Sequence, residues 1–183
     1  MVPRISFLPG RSAWEVGGLL TYPPFTRISS VVSAYAPPAA VLALMVLFVV
    51  QFSVFAWVLY ANYGYSGYDL GKNSQTIWLF SRLQTPFNTI RGMHAFGDHV
   101  APMLALLAPL YWIWPSPEAL LLLNILFRGV GAWILYRIAS YQIGSRWVGV
   151  FFAAVLLLNP EYGNAALDHF YPESLAPAII FFA

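Results

Sequence analysis

Between Arg27 and Asp69 the chain carries no charged residue, and the centre of that gap, Ala39 to Ala61 (AAVLALMVLFVVQFSVFAWVLYA), is predominantly apolar. At a helical rise of about 1.5 Å per residue this stretch crosses a hydrocarbon core of about 30 Å. Lipid offers the backbone no hydrogen-bond partners, so a single segment placed there must bond within itself, as a helix. Trp57, Tyr60, Tyr63, Tyr65 and Tyr68 cluster at its end, and such amphipathic rings settle at a membrane–water boundary.

Composition extends the conclusion to the whole chain. Of 183 residues, 60% are apolar and 9% are charged, whereas a soluble domain is about half apolar and about a quarter charged. Too few charges remain to coat a water-facing surface. Nine basic and seven acidic residues leave a net charge of +2 with no Lys/Arg run, which excludes the basic stripe of a nucleic-acid binder. The absence of cysteine removes disulfides and thiolate metal sites together.

The expected fold is an all-α integral membrane protein with three full spans and an incomplete fourth. Residues 1–36 read as an irregular cytoplasmic arm, with Arg4, Arg11 and Arg27 interleaved with prolines and without the layout of a cleaved signal peptide. The membrane domain, residues 37–183, has spans at about 37–61, 118–141 and 147–167 and a partial one at 174–183. Residues 62–99 form a loop in which 70–83 reads as a helix along the interface, with Asp69 near its start. Residues 100–117 are uncharged but interrupted by Pro102 and Pro109, so they read as re-entrant or interfacial. If they spanned, three basic residues would lie inside and five outside; if they do not, five lie inside and three outside. The positive-inside bias selects the second arrangement, with a cytoplasmic N-terminus in the inner membrane.

That topology places residues 62–99 and 161–173 on one extracytoplasmic face, and those stretches hold every histidine and five of the seven acids. In the first, Asp69 reads either as a general base or metal ligand or as an ordinary helix N-cap. His94, Asp98 and His99 follow as H-A-F-G-D-H, an imidazole–carboxylate cluster or a polar collar. Lys72, Arg82 and Arg91 suit a phosphate or lipid headgroups. In the second stretch, Glu161, Asp168, His169 and Glu173 are concentrated within 13 residues. Asp69, His99, Asp168 and His169 are the candidate ligands of a divalent cation. Arg128, in mid-helix with Asn124 one turn earlier and Gly129 and Gly131 beside it, is costly in lipid; it reads as functional or as a packing contact.

Several of these residues recur in motifs: Y-D-L-G at 68–71, Gln75 with Trp78, H-x-x-P from His99 to Pro102, P-L-Y at 109–111, P-S-P at 115–117 and P-E-S-L-A-P at 172–177. Over residues 57–183 the series resembles a group of bacterial predicted integral-membrane proteins of uncharacterised function, related to the GT-C glycosyltransferases, which move sugars from polyprenyl-phosphate carriers. The resemblance implies that Asp69 holds the place of the first-loop acid, and Asp168 with Glu173 the place of the second-loop acids. Relatives read Phe-His-Pro-Glu where this chain has Phe170-Tyr171-Pro172-Glu173, the histidine standing at His169. GT-C enzymes also have many more spans. The expectations are therefore the N-terminal part of a GT-C-like transferase, with membrane lipids and a polyprenyl-phosphate sugar as partners, or an accessory subunit of a larger membrane complex, energy-transducing or pigment-binding. A transporter fragment ranks last.

Overall fold

The computed structural model of the protein describes residues 24–170, with side chains from residue 33 onward. The chain divides into two compact units, Met1–Tyr35 and Ala36–Ala183. Of the first, the described part is helical. The second contains every other element.

Helix α1 spans Pro24–Ala61, so the expected irregular arm up to residue 36 is corrected: its last residues are already helical. Proline favours the first position of a helix, where its missing N–H is no loss. Pro37 and Pro38 lie inside the helix, and membrane helices tolerate such breaks in the ladder. From Val41 onward α1 is two-faced. Val41, Met45, Phe48, Phe52 and Ala56 turn inward at helical spacing, while Leu42, Val46, Val50, Val54 and Val58 are exposed. An outward stripe of that chemistry faces lipid.

Helix α2, Gly67–Ser81, is capped by Ser66, whose hydroxyl accepts the Tyr68 N–H at 3.3 Å. Asp69 is therefore not the N-cap but a first-turn acid, where the helix dipole favours it. After α2 come two strands of two residues each, β1 (Phe87–Asn88) and β2 (Met93–His94), paired antiparallel. The turn between them uses Gly92 at φ 66°, a left-handed conformation that glycine adopts without strain.

Three short helices follow: α3 (Ala95–Asp98), α4 (Met103–Leu106) and α5 (Ala108–Ile113). Residues 100–117 thus form no helix of spanning length. Pro102 stands at the N-cap of α4 and Pro109 in the first turn of α5, so the prolines set the breaks. The segment packs on α2, where the Tyr111 hydroxyl meets Ser74 Oγ at 2.8 Å and Trp112 Nε1 donates to the Ser81 carbonyl at 2.8 Å.

Helix α6, Pro117–Ile143, is the centre of the bundle and buries Leu120, Leu121, Asn124, Ile125, Ala132 and Tyr136. Gly144, at φ 74°, ends it, and Ser145 starts helix α7, Arg146–Leu157. The two helices then approach closely. A Cβ built on Gly149 would lie 2.7 Å from the Tyr136 carbonyl oxygen and 2.1 Å from Ser140 Oγ.

The single span expected over 147–167 is corrected to two helices, α7 and α8 (Pro160–Leu167), bent by 56°. The residue before a proline is disfavoured in the helical region, and Asn159 takes the extended conformation instead. Its side chain accepts the N–H groups of Glu161 and Tyr162 at 2.9 and 3.3 Å. Among the described residues, two helices are long and apolar enough to cross a membrane, Ser33–Ala61 and Pro117–Ile143, and α7 with α8 makes a third only as a broken span.

The α6–α7 contact supplies a test. Gly149→Ala forces a methyl group against fixed backbone and should destabilise the protein by about 1–3 kcal/mol, read as a lowered unfolding midpoint in detergent. Unchanged stability would mean the helices are not in this contact.

Candidate functional site

The loop after α1 folds around one carboxylate. Asp98, at the end of α3, has a side chain only 8% exposed and is reached by Lys72 Nζ at 3.0 Å and by Arg91 Nη2 at 2.6 Å. Lys72 also lies 3.3 Å from Asp69, one turn before it on α2. The Arg91 guanidinium meets the Tyr68 hydroxyl, and both cations lie over the Tyr68 ring, Lys72 at 5.5 Å and Arg91 at 5.7 Å. Sequence positions 68, 69, 72, 91 and 98 thereby become one network.

Buried amides hold the frame. Asn88, fully buried, donates to the Lys72 carbonyl at 3.1 Å and accepts from the Ile90 and Arg91 N–H groups at 3.0 and 3.2 Å. This ties the hairpin to α2 and aims Arg91. Gln75 adds a second tie by accepting the N–H of Thr89 at 3.1 Å. Asp69, Lys72, Asn73, Thr76, Asn88 and Asp98 then line a cavity of about 120 Å³.

The second acidic stretch reaches the same helix. Ser66 N–H donates to His169 Nε2 at 3.0 Å, and Asn73 Nδ2 donates to the Phe170 carbonyl at 2.8 Å. Because Nε2 accepts, the ring proton sits on Nδ1, which faces Asp168 Oδ1 at 2.9 Å. Both imidazole nitrogens of His169 are thus engaged. His94 caps α3 by accepting the Phe96 N–H at 3.2 Å. His99, 74% exposed, lies 3.5 Å from Asp98.

Among the described residues, no group of three or more His, Asp or Glu gathers to hold a metal ion. Of the three candidate phosphate-binding cations, Lys72 and Arg91 converge. Arg82 stands over Trp78 at the other end of α2, about 15 Å along the axis from Lys72 by helical rise. Glu173 lies outside the described residues.

Asn124 and Arg128 sit away from this cavity, where α6 meets α8. Asn124 Nδ2 donates to the carbonyls of Ala165 and Ala166 at 3.3 and 3.4 Å. The Tyr162 hydroxyl donates to the Arg128 carbonyl at 2.8 Å, with the guanidinium 5.3 Å over the Tyr162 ring. A Cβ on Gly131 would lie 2.9 Å from the same hydroxyl. This is a polar packing seam, and it seats α8 so that His169 reaches the N-cap of α2 and Phe170 reaches Asn73.

The residue that sequence reasoning undervalued is Asp98. It stands between two histidines in spacing, but its partners lie 26 residues back and seven residues back.

Spanning helices, a broken helix pair and an ion-paired loop at the end of the first span define a helical integral-membrane protein. Residues 57–183 match the family model described as predicted membrane protein, DUF2079, and the chain belongs to that family. No curated protein and no solved structure matches it.

The network has a pH signature. A hydrogen bond from Lys72, with Arg91 beside it, holds Asp98 below its ordinary value of 3.8. Burial pulls the Lys72 ammonium down, but its bonds to Asp98 and Asp69 outweigh that and leave it above 10.5. A depressed acid stabilises above its ordinary value and loses that contribution as pH falls through the depressed one. A raised base stabilises below its ordinary value and loses that contribution as pH rises through the raised one. Loop anchoring should therefore be level between pH 3.8 and 10.5. Limited proteolysis within residues 85–99 should be flat from about pH 8, above the range in which imidazoles change charge, to about pH 10, whereas Asp98→Asn should raise cleavage several-fold at neutral pH.

Proposed function

We propose that the protein is a GT-C-like transferase that moves a sugar from a polyprenyl-phosphate donor to an acceptor hydroxyl at the extracytoplasmic face of the cytoplasmic membrane. The observation that carries the reading is Lys72 shared between Asp69 and Asp98, at 3.3 and 3.0 Å, on the wall of a cavity in the segment that follows the first span. Carboxylate and cation stand together there, as transfer from a lipid phosphate requires.

Asp69 is the base. Its side chain is more exposed than that of Asp98, and it is bound by the longer of the two Lys72 contacts. As the acceptor oxygen forms its bond to the anomeric carbon, the bond from that carbon to the phosphate oxygen breaks with its electron pair, and Asp69 takes the hydroxyl proton. The departing polyprenyl phosphate gains charge, which Lys72 and Arg91 stabilise. Asp98 positions those two cations. Asp168, hydrogen-bonded to His169, serves as the second-loop acid of this reading, and Glu173, outside the described residues, joins it by its place in the sequence motif; the N-terminus lies in the cytoplasm.

Two measurements test this. In membranes carrying the protein, Asp69→Asn should lower transfer from a polyprenyl-phosphate sugar by about 10²–10⁴-fold without loss of inserted protein; unchanged transfer sinks the assignment. Unchanged transfer together with co-purification in a larger complex would favour an accessory role. Cysteines placed at Thr85 and Gln142 should label from opposite sides of the membrane, and same-side labelling would overturn the topology.

A further inference from the structure

Two polar groups in the wall of the Lys72 cavity take no part in the ion-pair network. Asn73 is only 6% exposed, and its amide nitrogen is engaged by the Phe170 carbonyl, which fixes the other amide atom as the oxygen. Among the described residues Asn73 Oδ1 has no hydrogen-bond partner, yet it is not one of the atoms sealed from solvent; it opens on the cavity that Asn73 lines. Thr76, 1% exposed, lines the same cavity, and its hydroxyl donates to the Lys72 carbonyl at 2.9 Å. What the hydroxyl has left is its lone pairs. Asp69, Asn73 and Thr76 stand at i, i+4 and i+7 on α2, so they share one helix face.

That face offers acceptors, and a buried acceptor left unmet is costly. Lys72 already supplies the cation between Asp69 and Asp98, so the donors still wanting are neutral hydroxyls. Two acceptors one turn apart call for two of them on one ligand. The cavity, about 120 Å³, has room for about ten water-sized groups, the size of one sugar ring with its hydroxyls.

We propose that this cavity binds a carbohydrate ring through neighbouring hydroxyls, which donate to Asn73 Oδ1 and Thr76 Oγ1. On the transferase reading, on which this step rests, the ring is the acceptor substrate: the hydroxyl beside Asp69 reacts, and Asn73, one turn further along, holds its neighbour. The acceptor is then a polyol and not a lone alcohol, because a single hydroxyl leaves the Asn73 oxygen unmet.

The test is saturation-transfer NMR on the full chain in lipid discs. Its probes are the methyl glycosides of glucose, mannose and galactose, with hydroxymethyl tetrahydropyran as the same ring carrying one hydroxyl. At least one glycoside should bind, and the single-hydroxyl ring should bind about tenfold more weakly. Asn73→Leu should weaken glycoside binding about tenfold, and Thr76→Val, of the same shape, several-fold. Asn73→Asp keeps an acceptor but loses the bond to Phe170, and it should bind within about threefold of the wild type. If it falls as far as Asn73→Leu, Asn73 acts by tying down Phe170 and the assignment fails. Binding of no glycoside, or binding that Asn73→Leu and Thr76→Val both leave unchanged, would reduce the cavity to a water site and overturn the proposal. Transfer from a polyprenyl-phosphate sugar, measured on the same discs, separates the two claims. Glycoside binding without transfer keeps the carbohydrate site and removes the transferase; transfer to the single-hydroxyl ring as fast as to a glycoside keeps the transferase and overturns the polyol acceptor.

Discussion

The Asp98 carboxylate is the point on which the extramembrane loop closes. A carboxylate this far from water is costly unless cations and donors surround it, and here the cations come from two different elements. Lys72 brings α2 and Arg91 brings the hairpin. Helix α2 is held by its own apolar face, Leu70 and Ile77 in the core, but the hairpin has little hydrophobic reason to stay: its strands are two residues long, and a hairpin of that size is marginal in water. For the hairpin, charge pairing, together with the buried Asn88 amide, replaces the missing apolar contact.

A second constraint reaches the same site from inside the bilayer. Asn124 and Arg128 belong to a spanning helix, where polar groups are costly without protein partners; the Asn124 amide nitrogen and the Arg128 guanidinium meet α8, while Asn124 Oδ1 and Arg128 Nε are buried without a hydrogen-bond partner among the described residues. Asn124 bonds the last carbonyls of α8, and the Tyr162 hydroxyl bonds the Arg128 carbonyl. The short helix is thereby fixed at both ends, and the residues after it are delivered to α2 through His169 and Phe170. Polar groups in α6 thus determine which part of the second acidic stretch meets the first.

The spans were legible because hydropathy is additive: about 20 apolar residues in a row outweigh every local irregularity. The break before Pro160 was written as Asn159-Pro160, yet the apolar residues on either side read as one helix, and local turn chemistry won. The sequence suggested no contact between Ser66 and His169; their bond joins positions 103 apart, which no local pattern encodes. Asp98 was hidden for a simpler reason. In H-A-F-G-D-H it reads as part of an imidazole–carboxylate cluster, whereas its partners are two cations, Lys72 on α2 and Arg91 on a hairpin with no alternating pattern. The Ser66 cap was readable as a serine just ahead of a helix, but Asp69, an equally good capping residue three positions later, masked it.

Charge balance gives the arrangement its chemical meaning. Asp69 and Asp98 against Lys72 and Arg91 sum to zero, so the four groups at rest carry no net charge. Lys72 is held unequally, closer to Asp98 than to Asp69, and Asp98 has Arg91 as well. A phosphate approaching the cavity would compete for Lys72 against the weaker of its two contacts, the one with Asp69. In the proposed reaction that exchange couples two events: the cation turns to the leaving phosphate as the carboxylate is released to accept a proton. Asp98 keeps its own partners throughout, so the loop stays anchored while the charge it organises is redistributed.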